Sequence, residues 1–242
     1  IEALDAYRSD LGRPTLSELD AAERYSASRH VAGENASLLT FGYSARDIAQ
    51  IDAEQVDVVA VAGNSMGFYT ALYASGCLSL LEAAHLVETM GAFQRGNVIG
   101  GQILYPMVNE EWQPHAESLE AVRTICAETD IHLSIRLGGT AVIGASKEGL
   151  RRCMERLPKR KQGAREFPIQ LPLHSAFHTP LLQETSELAR EVLKDLPVRA
   201  PHTPLIAGDG RIFGQWTSPV DILNYTLGAQ VTDTYDFSLS IR

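Results

Sequence analysis

Cysteine, positive charge and long apolar runs are all scarce in this chain, and each scarcity closes off a class of function. The three cysteines, Cys77, Cys126 and Cys153, stand far apart and form no Cys-x-x-Cys or Cys/His ligand spacing. Neither a disulfide framework nor a zinc site is implied, no metal is expected, and a reducing cytoplasm fits the usage. Lysine and arginine total 21 against 30 aspartates and glutamates, a net charge of −9, which argues against nucleic acid as a partner. No apolar run approaches the ~18 residues that a membrane span requires. The opening Ile1-Glu2-Ala3-Leu4-Asp5-Ala6-Tyr7 also lacks the basic-then-apolar order of a signal peptide. The chain begins without methionine, which leaves room for residues upstream.

What is present is enough apolar residue, 45% of 242, to bury a sizeable core. Thr15-Leu16-Ser17-Glu18 offers a helix cap, and Ser79-Leu80-Leu81-Glu82 has capping-box spacing ahead of the stripe Ala83, Leu86, Val87, Met90. Gly76 reads as a helix stop between them. From about residue 100 the pattern changes. Strands are predicted over 101–108, 131–137, 140–145 and 166–171, with helices over 115–128 and 146–157. That order, βαββαβ, is a ferredoxin-like unit. The expected fold is therefore α/β: a large α/β-hydrolase-like catalytic domain from 1–98 and 172–242, with a ferredoxin-like subdomain inserted over 99–171.

One motif carries chemistry. Val56-Asp57-Val58-Val59-Ala60-Val61-Ala62 reads as a strand running into Gly63-Asn64-Ser65-Met66-Gly67, with helix formers Phe68 to Ala74 beyond. This is the Gly-x-Ser-x-Gly nucleophile elbow, a turn expected to be so tight that both flanking positions lack bulk and the Ser65 hydroxyl is pushed out at a helix N-terminus. A plain turn that needs glycines for geometry does not explain the serine between them.

With Gly-x-Ser-x-Gly in that context, the stretch from Ala62 to Gln94 resembles the malonyl-CoA:acyl-carrier-protein transacylases and the acyltransferase domains of polyketide synthases. Those proteins have a Gly-His-Ser-Leu-Gly elbow followed by a helix ending Leu-Val-x-x-Arg-Gly. Ser175-Ala176-Phe177-His178-Thr179-Pro180-Leu181 resembles their catalytic-histidine motif, and Gln215-Trp216-Thr217-Ser218-Pro219-Val220 their Gln-Leu-x-x-Pro-Val segment. The resemblance runs from about Asn35 to Val220. The family's N-terminal Pro-Gly-Gln-Gly segment, with a glutamine of the oxyanion hole, has no counterpart here.

The resemblance implies a ping-pong acyl transfer from a coenzyme A thioester to the phosphopantetheine thiol of an acyl carrier protein, with no bound cofactor. Ser65 is the implied nucleophile and His178 its base, because a serine hydroxyl near neutral pH needs an imidazole to take its proton. A main-chain carbonyl orients that histidine, and the matching position is Gln215. The backbone N–H of Met66 is the implied oxyanion donor. His174 and His202 compete for the base, and a histidine merely packed between Phe177 and Pro180 is the alternative for His178.

The departures bear on the acyl group. The family arginine that clamps the malonyl carboxylate lies 25 residues beyond the serine, which here is Met90, and a thioether has no donor to offer a carboxylate. Asn64 replaces the histidine that precedes the nucleophile, and Phe177 disfavours branching beside the thioester. An unbranched, uncharged acyl chain follows. Against it, Arg136 falls at a family asparagine that faces the substrate and is a candidate carboxylate clamp, with a solvated edge arginine as the alternative. Asn35 stands where the family has a substrate-facing glutamine. The basic run that includes Arg152, Arg156 and Lys159 is a candidate docking face for an acidic carrier protein, or an ordinary solvated helix. Two other functions stay open: a serine esterase or thioesterase of the α/β-hydrolase type, and a non-catalytic member that binds a carrier protein.

Overall fold

The computed structural model describes residues 1–241. Its strands are β1 (Val61–Ala62), β2 (Gly101–Pro106), β3 (Ile131–Leu137), β4 (Thr140–Ala145), β5 (Arg160–Gln162), β6 (Arg165–Phe167), β7 (Ile169–Gln170), β8 (Leu205–Ile206), β9 (Ile212–Phe213) and β10 (Tyr235–Asp236). The chain forms two compact units.

The first unit holds Ile1–Asn97, Glu191–Ala207 and Arg211–Asn224. Thr15 and Ser79 each close a capping box, with Glu18 and Glu82, at the starts of the helices Leu16–Asp20 and Leu80–Ala92. Ala83, Leu86 and Val87 are buried as the stripe predicts, and Met90 at its end is half-buried. Gly76 adopts φ +81° after the helix Gly67–Ala74, with the His202 ring standing where a Cβ would project. Gly91 lets the helix that carries Met90 close on Gly33, whose carbonyl oxygen would lie 2.8 Å from an added Cβ.

A buried ionic cluster ties three helices of this unit together. Arg8, fully buried on Glu2–Asp10, donates to the Pro14 and Glu34 carbonyls, to Asn35 Oδ1 at 2.6 Å and to Glu88 at 3.2 Å. Arg13 pairs with the same Glu88. Burial lowers the Arg8 pKa, and the Glu88 carboxylate works against that. A buried guanidinium with this many acceptors is satisfied, and removing any partner would leave charge stranded.

The sheet of the first unit is shorter than the sequence suggests. Only Val61–Ala62 joins it, pairing in parallel with β8, which pairs antiparallel with β9. Val56, Val58 and Val59 lie outside the strand, and Val59 is 76% exposed. β-branched residues favour extended backbone, but a strand exists only where a partner takes its hydrogen bonds.

The second unit holds Val98–Arg190, Gly208–Gly210 and the chain from Tyr225 onward. Its sheet runs β10-β3-β4-β2-β7, with the pairs β3–β4, β4–β2 and β2–β7 antiparallel. With the helices Ala116–Ile125 and Lys147–Arg156 between strands, this is the ferredoxin-like βαββαβ arrangement. The helices cover one sheet face, where Ile103, Ile131 and Ile143 meet Val122, Ile125 and Leu150. Burying side chains of this size contributes roughly 1.5–3 kcal/mol each. The strand expected over 166–171 is interrupted at Pro168, which has no N–H for the ladder and separates β6 from β7. The unit also takes in stretches outside 99–171. β10 adds a fifth strand, parallel to β3, in the register Tyr235 with Ile135 and Asp236 with Arg136.

Candidate active site

In the first unit, β1 ends at Ala62 and the helix Gly67–Ala74 begins five residues on. Ser65 between them has φ +56°, a left-handed conformation that a non-glycine residue adopts at a cost of about 1–2 kcal/mol. The turn is closed by Gly67 N–H donating to the Asn64 carbonyl at 2.8 Å, and Phe68 N–H to that of Ser65 at 2.9 Å. An added Cβ at Gly63 would stand 2.8 Å from Phe68 N and closer still to the Gly67 carbonyl. The expectation for Gly67 is corrected: a Cβ there meets no atom within 4 Å. Only one flank of the serine must lack bulk, since the chain folds back over Gly63 while Gly67 already points along the helix.

Met66 is the N-cap of that helix, and its N–H makes no hydrogen bond among the described residues. Helix-start N–H groups carry the positive end of the macrodipole, so this one is a donor for a developing anion. Asn64 Oδ1 is buried without a hydrogen-bond partner among the described residues. An orphaned acceptor beside a nucleophile raises the local cost of negative charge.

In the second unit, His178 is buried, with φ +55°. Its Nδ1 lies 2.7 Å from the Gln230 carbonyl oxygen, and its N–H donates to the Val231 carbonyl at 3.0 Å. A carbonyl can only accept, so Nδ1 carries the proton in the neutral ring and Nε2 is left as the base. Burial pushes the imidazole pKa down to about 4, opposed by the Gln230 carbonyl. The ring stays neutral at physiological pH, as a base must. The Tyr235 ring packs edge-on at 5.3 Å.

The orienting carbonyl thus belongs to Gln230, and the assignment to Gln215 is corrected. Gln230-Val231-Thr232-Asp233-Thr234-Tyr235 repeats the pattern of a glutamine, an apolar residue and, four positions further, a β-former, fifteen residues after Gln215. It lacks the proline that made the earlier string conspicuous. His174 is engaged with the Pro172 carbonyl at 2.8 Å, and His202 packs on Gly76.

The remaining candidates divide. Met90 and Phe177 are half-buried. Asn35 is buried, with Oδ1 on Arg8 and Nδ2 donating to the Arg29 carbonyl at 2.8 Å, so its amide is spent inside the first unit. Arg136 pairs with Asp236 at 3.1 Å and is no edge residue, because β10 flanks β3. Arg152 is held by Glu128 at 2.7 Å and by Asp130, and Arg156 by Glu128. Lys159 reaches the Met154 carbonyl. Glu128 and Asp130 therefore offset the charge of Arg152 and Arg156. Among the described residues no group of three or more histidine, cysteine, aspartate or glutamate side chains is placed to hold a metal, and no helix is long and apolar enough to cross a membrane.

No protein-family model matches the chain. The malonyl CoA-acyl carrier protein transacylase of Bacillus subtilis is 28% identical over 149 residues, which are 60% of this chain and 45% of that protein. The chain thus spans about half the length of that curated relative. Malonyl-CoA:ACP transacylase of Synechocystis superposes with a TM-score of 0.80 at 17% identity, over 99% of this chain and 75% of that one. A malonyl-transacylase solved in complex with a type II polyketide synthase acyl-carrier protein superposes at 0.76 and 19% identity, over 99% and 75%. At such identities the superpositions establish the shared fold.

Proposed function

We propose that this chain is a member of the malonyl-CoA:acyl-carrier-protein transacylase and polyketide synthase acyltransferase family and moves an acyl group from a coenzyme A thioester to the phosphopantetheine thiol of an acyl carrier protein in the cytoplasm. The observation that carries the reading is the left-handed Ser65 in a strand-to-helix turn whose next N–H, that of Met66, has no partner among the described residues. Ser65 Oγ attacks the thioester carbonyl carbon while its proton passes to Nε2 of His178. The oxyanion is met by the Met66 N–H. Collapse expels the coenzyme A thiolate, which takes the proton back, and the acyl group rests on Ser65. The carrier thiol then gives its proton to His178, attacks the acyl-serine and leaves as the new thioester, returning the serine hydroxyl. Gln230 holds the base in the tautomer that both half-reactions need. No cofactor enters either step.

The acyl group we assign is uncharged and unbranched. Met90 has no donor for a carboxylate, and the orphaned Asn64 Oδ1 would repel one. Three arginines of the first unit are already ion-paired: Arg8 and Arg13 with Glu88, and Arg95 with Glu34. Phe177 limits branching. Arg136, paired with Asp236, is not assigned a substrate role, nor is Asn35. Arg152, Arg156 and Lys159 remain the proposed carrier face, now through an ion-paired surface rather than a bare positive one.

The test is incubation with butyryl-CoA and a holo acyl carrier protein, followed by intact mass analysis of the carrier. Butyryl-carrier that requires both Ser65 and His178 is expected. Free butyrate with an unmodified carrier would make the chain a thioesterase, and no reaction would make it a binding protein.

A further inference from the structure

We propose that Ser134 and Gln102 are positioning residues for His178, holding the Phe177–His178 peptide so that the imidazole stays in its reactive orientation. The inference rests on the reading of His178 as the base, and it concerns residues to which that reading gives no task.

The argument begins at an irregularity in the second unit's sheet. Leu133 pairs with Ile143 and Ile135 with the very next residue of β4, Val142, so Ser134 is the extra residue of a bulge. A regular strand would send Ser134 to the same side as His132 and Arg136, whereas a bulge re-aims its side chain. Ser134 is fully buried, and its Oγ donates to the Phe177 carbonyl at 2.7 Å. Gln102, on β2 and also buried, donates through Nε2 to Ser134 Oγ at 2.7 Å and lies 3.5 Å from the same carbonyl. The glutamine thus polarises the hydroxyl that holds the carbonyl, and a buried chain of this kind strengthens each bond in it. Gly144 on β4 keeps the space open: an added Cβ would lie 2.6 Å from Thr179 and 3.2 Å from Ser134.

The peptide that Ser134 holds sets φ of His178, the left-handed value of +55°. Its carbonyl end is bound by Ser134 and its N–H end by Val231, while the ring is bound by Gln230. Thr179 Oγ closes the far side on the Ala176 carbonyl at 2.6 Å. Removing the Ser134 hydroxyl frees one end of a peptide that strain would otherwise rotate. An apolar packing role for the sheet would not require a serine and a glutamine, both buried, to converge on one carbonyl.

The experiment uses the full chain labelled with ¹⁵N-histidine, the His178 signals being assigned by their loss in His178→Gln. The wild type is expected to show a single neutral tautomer with Nδ1 protonated. In Ser134→Ala the signals should move towards a mixture of tautomers. Acylation of Ser65 at saturating butyryl-CoA should fall about 10-fold, with the half-saturating concentration unchanged, since displacement of a reacting group costs rate rather than binding. Gln102→Met, which leaves the hydroxyl in place, should give a smaller change of the same kind. The double variant should be no slower than Ser134→Ala, because both act through one carbonyl. Ser134→Thr should restore the tautomer. Folded Ser134→Ala and Gln102→Met with wild-type imidazole signals would overturn the proposal. If Ser134→Ala does not fold, Gln102→Met decides it alone. A wild type that forms no acyl-serine refutes the proposed function, and the tautomer measurement still decides this inference.

Discussion

The carbonyl oxygen of Gln230 lies 2.7 Å from Nδ1 of His178, across fifty-two residues of sequence. That one bond fixes which ring nitrogen carries the proton, and burial keeps the other free of one.

The pH dependence follows with its sign. The His178 pKa falls from an ordinary 6.5 to about 4 in the folded chain. The unfolded chain therefore takes up a proton near 6.5 that the folded chain refuses until about 4. The contribution is absent above the first value, destabilises progressively between the two, and levels off below, reaching about 3 kcal/mol. Urea unfolding of wild type and His178→Gln at pH 7 and at pH 4.5 measures it, and the variant should lose less stability on acidification. Serine acylation should likewise keep its rate down to pH 5, where an ordinary histidine would already be mostly protonated.

The two glycines of the elbow should respond oppositely. Gly63→Ala forces a Cβ into the Gly67 carbonyl and should cost about 3 kcal/mol or more, because backbone there cannot give way. Gly67→Ala meets no atom within 4 Å at a helix start and should gain about 0.5–1 kcal/mol. Thermal denaturation of the two variants distinguishes them.

Arg8 and Arg13 share Glu88 but differ in burial, with side-chain exposures of 1% and 24%. Arg8→Met leaves Glu88 to Arg13 alone and strands the Asn35 Oδ1 and two carbonyls, and should cost about 3 kcal/mol. Arg13→Ala should cost less than about 1 kcal/mol. Denaturant midpoints at equal m-value are the measurement.

The thiols should be inert. Burial pushes Cys126 up to about 11 and Cys153 up to about 12, and raises Cys77. Native protein at pH 8 should be alkylated far more slowly than a free thiol, and all three cysteines should react once the chain is unfolded.

The elbow was legible because a β-branched run, two glycines around a serine and a run of helix formers agree on one local structure. The extent of its strand was not, since Val56 to Ala60 have the right propensity but no strand partner among the described residues. The ferredoxin-like unit was legible from the alternation of its elements. β10 was not, because two residues, Tyr235 and Asp236, carry no periodicity and become a strand only against β3. The same distance hid Gln230. Two glutamine strings lie fifteen residues apart, and only the fold decides which carbonyl reaches His178. The pairings of Arg136 and Asn35 were equally out of reach, because Asp236 and Arg8 are remote in sequence.

The most direct test of the account is the mass of the intact protein after brief exposure to acetyl-, butyryl- or malonyl-CoA, with Ser65→Ala alongside. The account predicts an acetyl or butyryl adduct on Ser65, none in Ser65→Ala and none from malonyl-CoA. A malonyl adduct on Ser65 would contradict the assignment of Met90 and Asn64, and no adduct from any donor would contradict the acyl-serine itself.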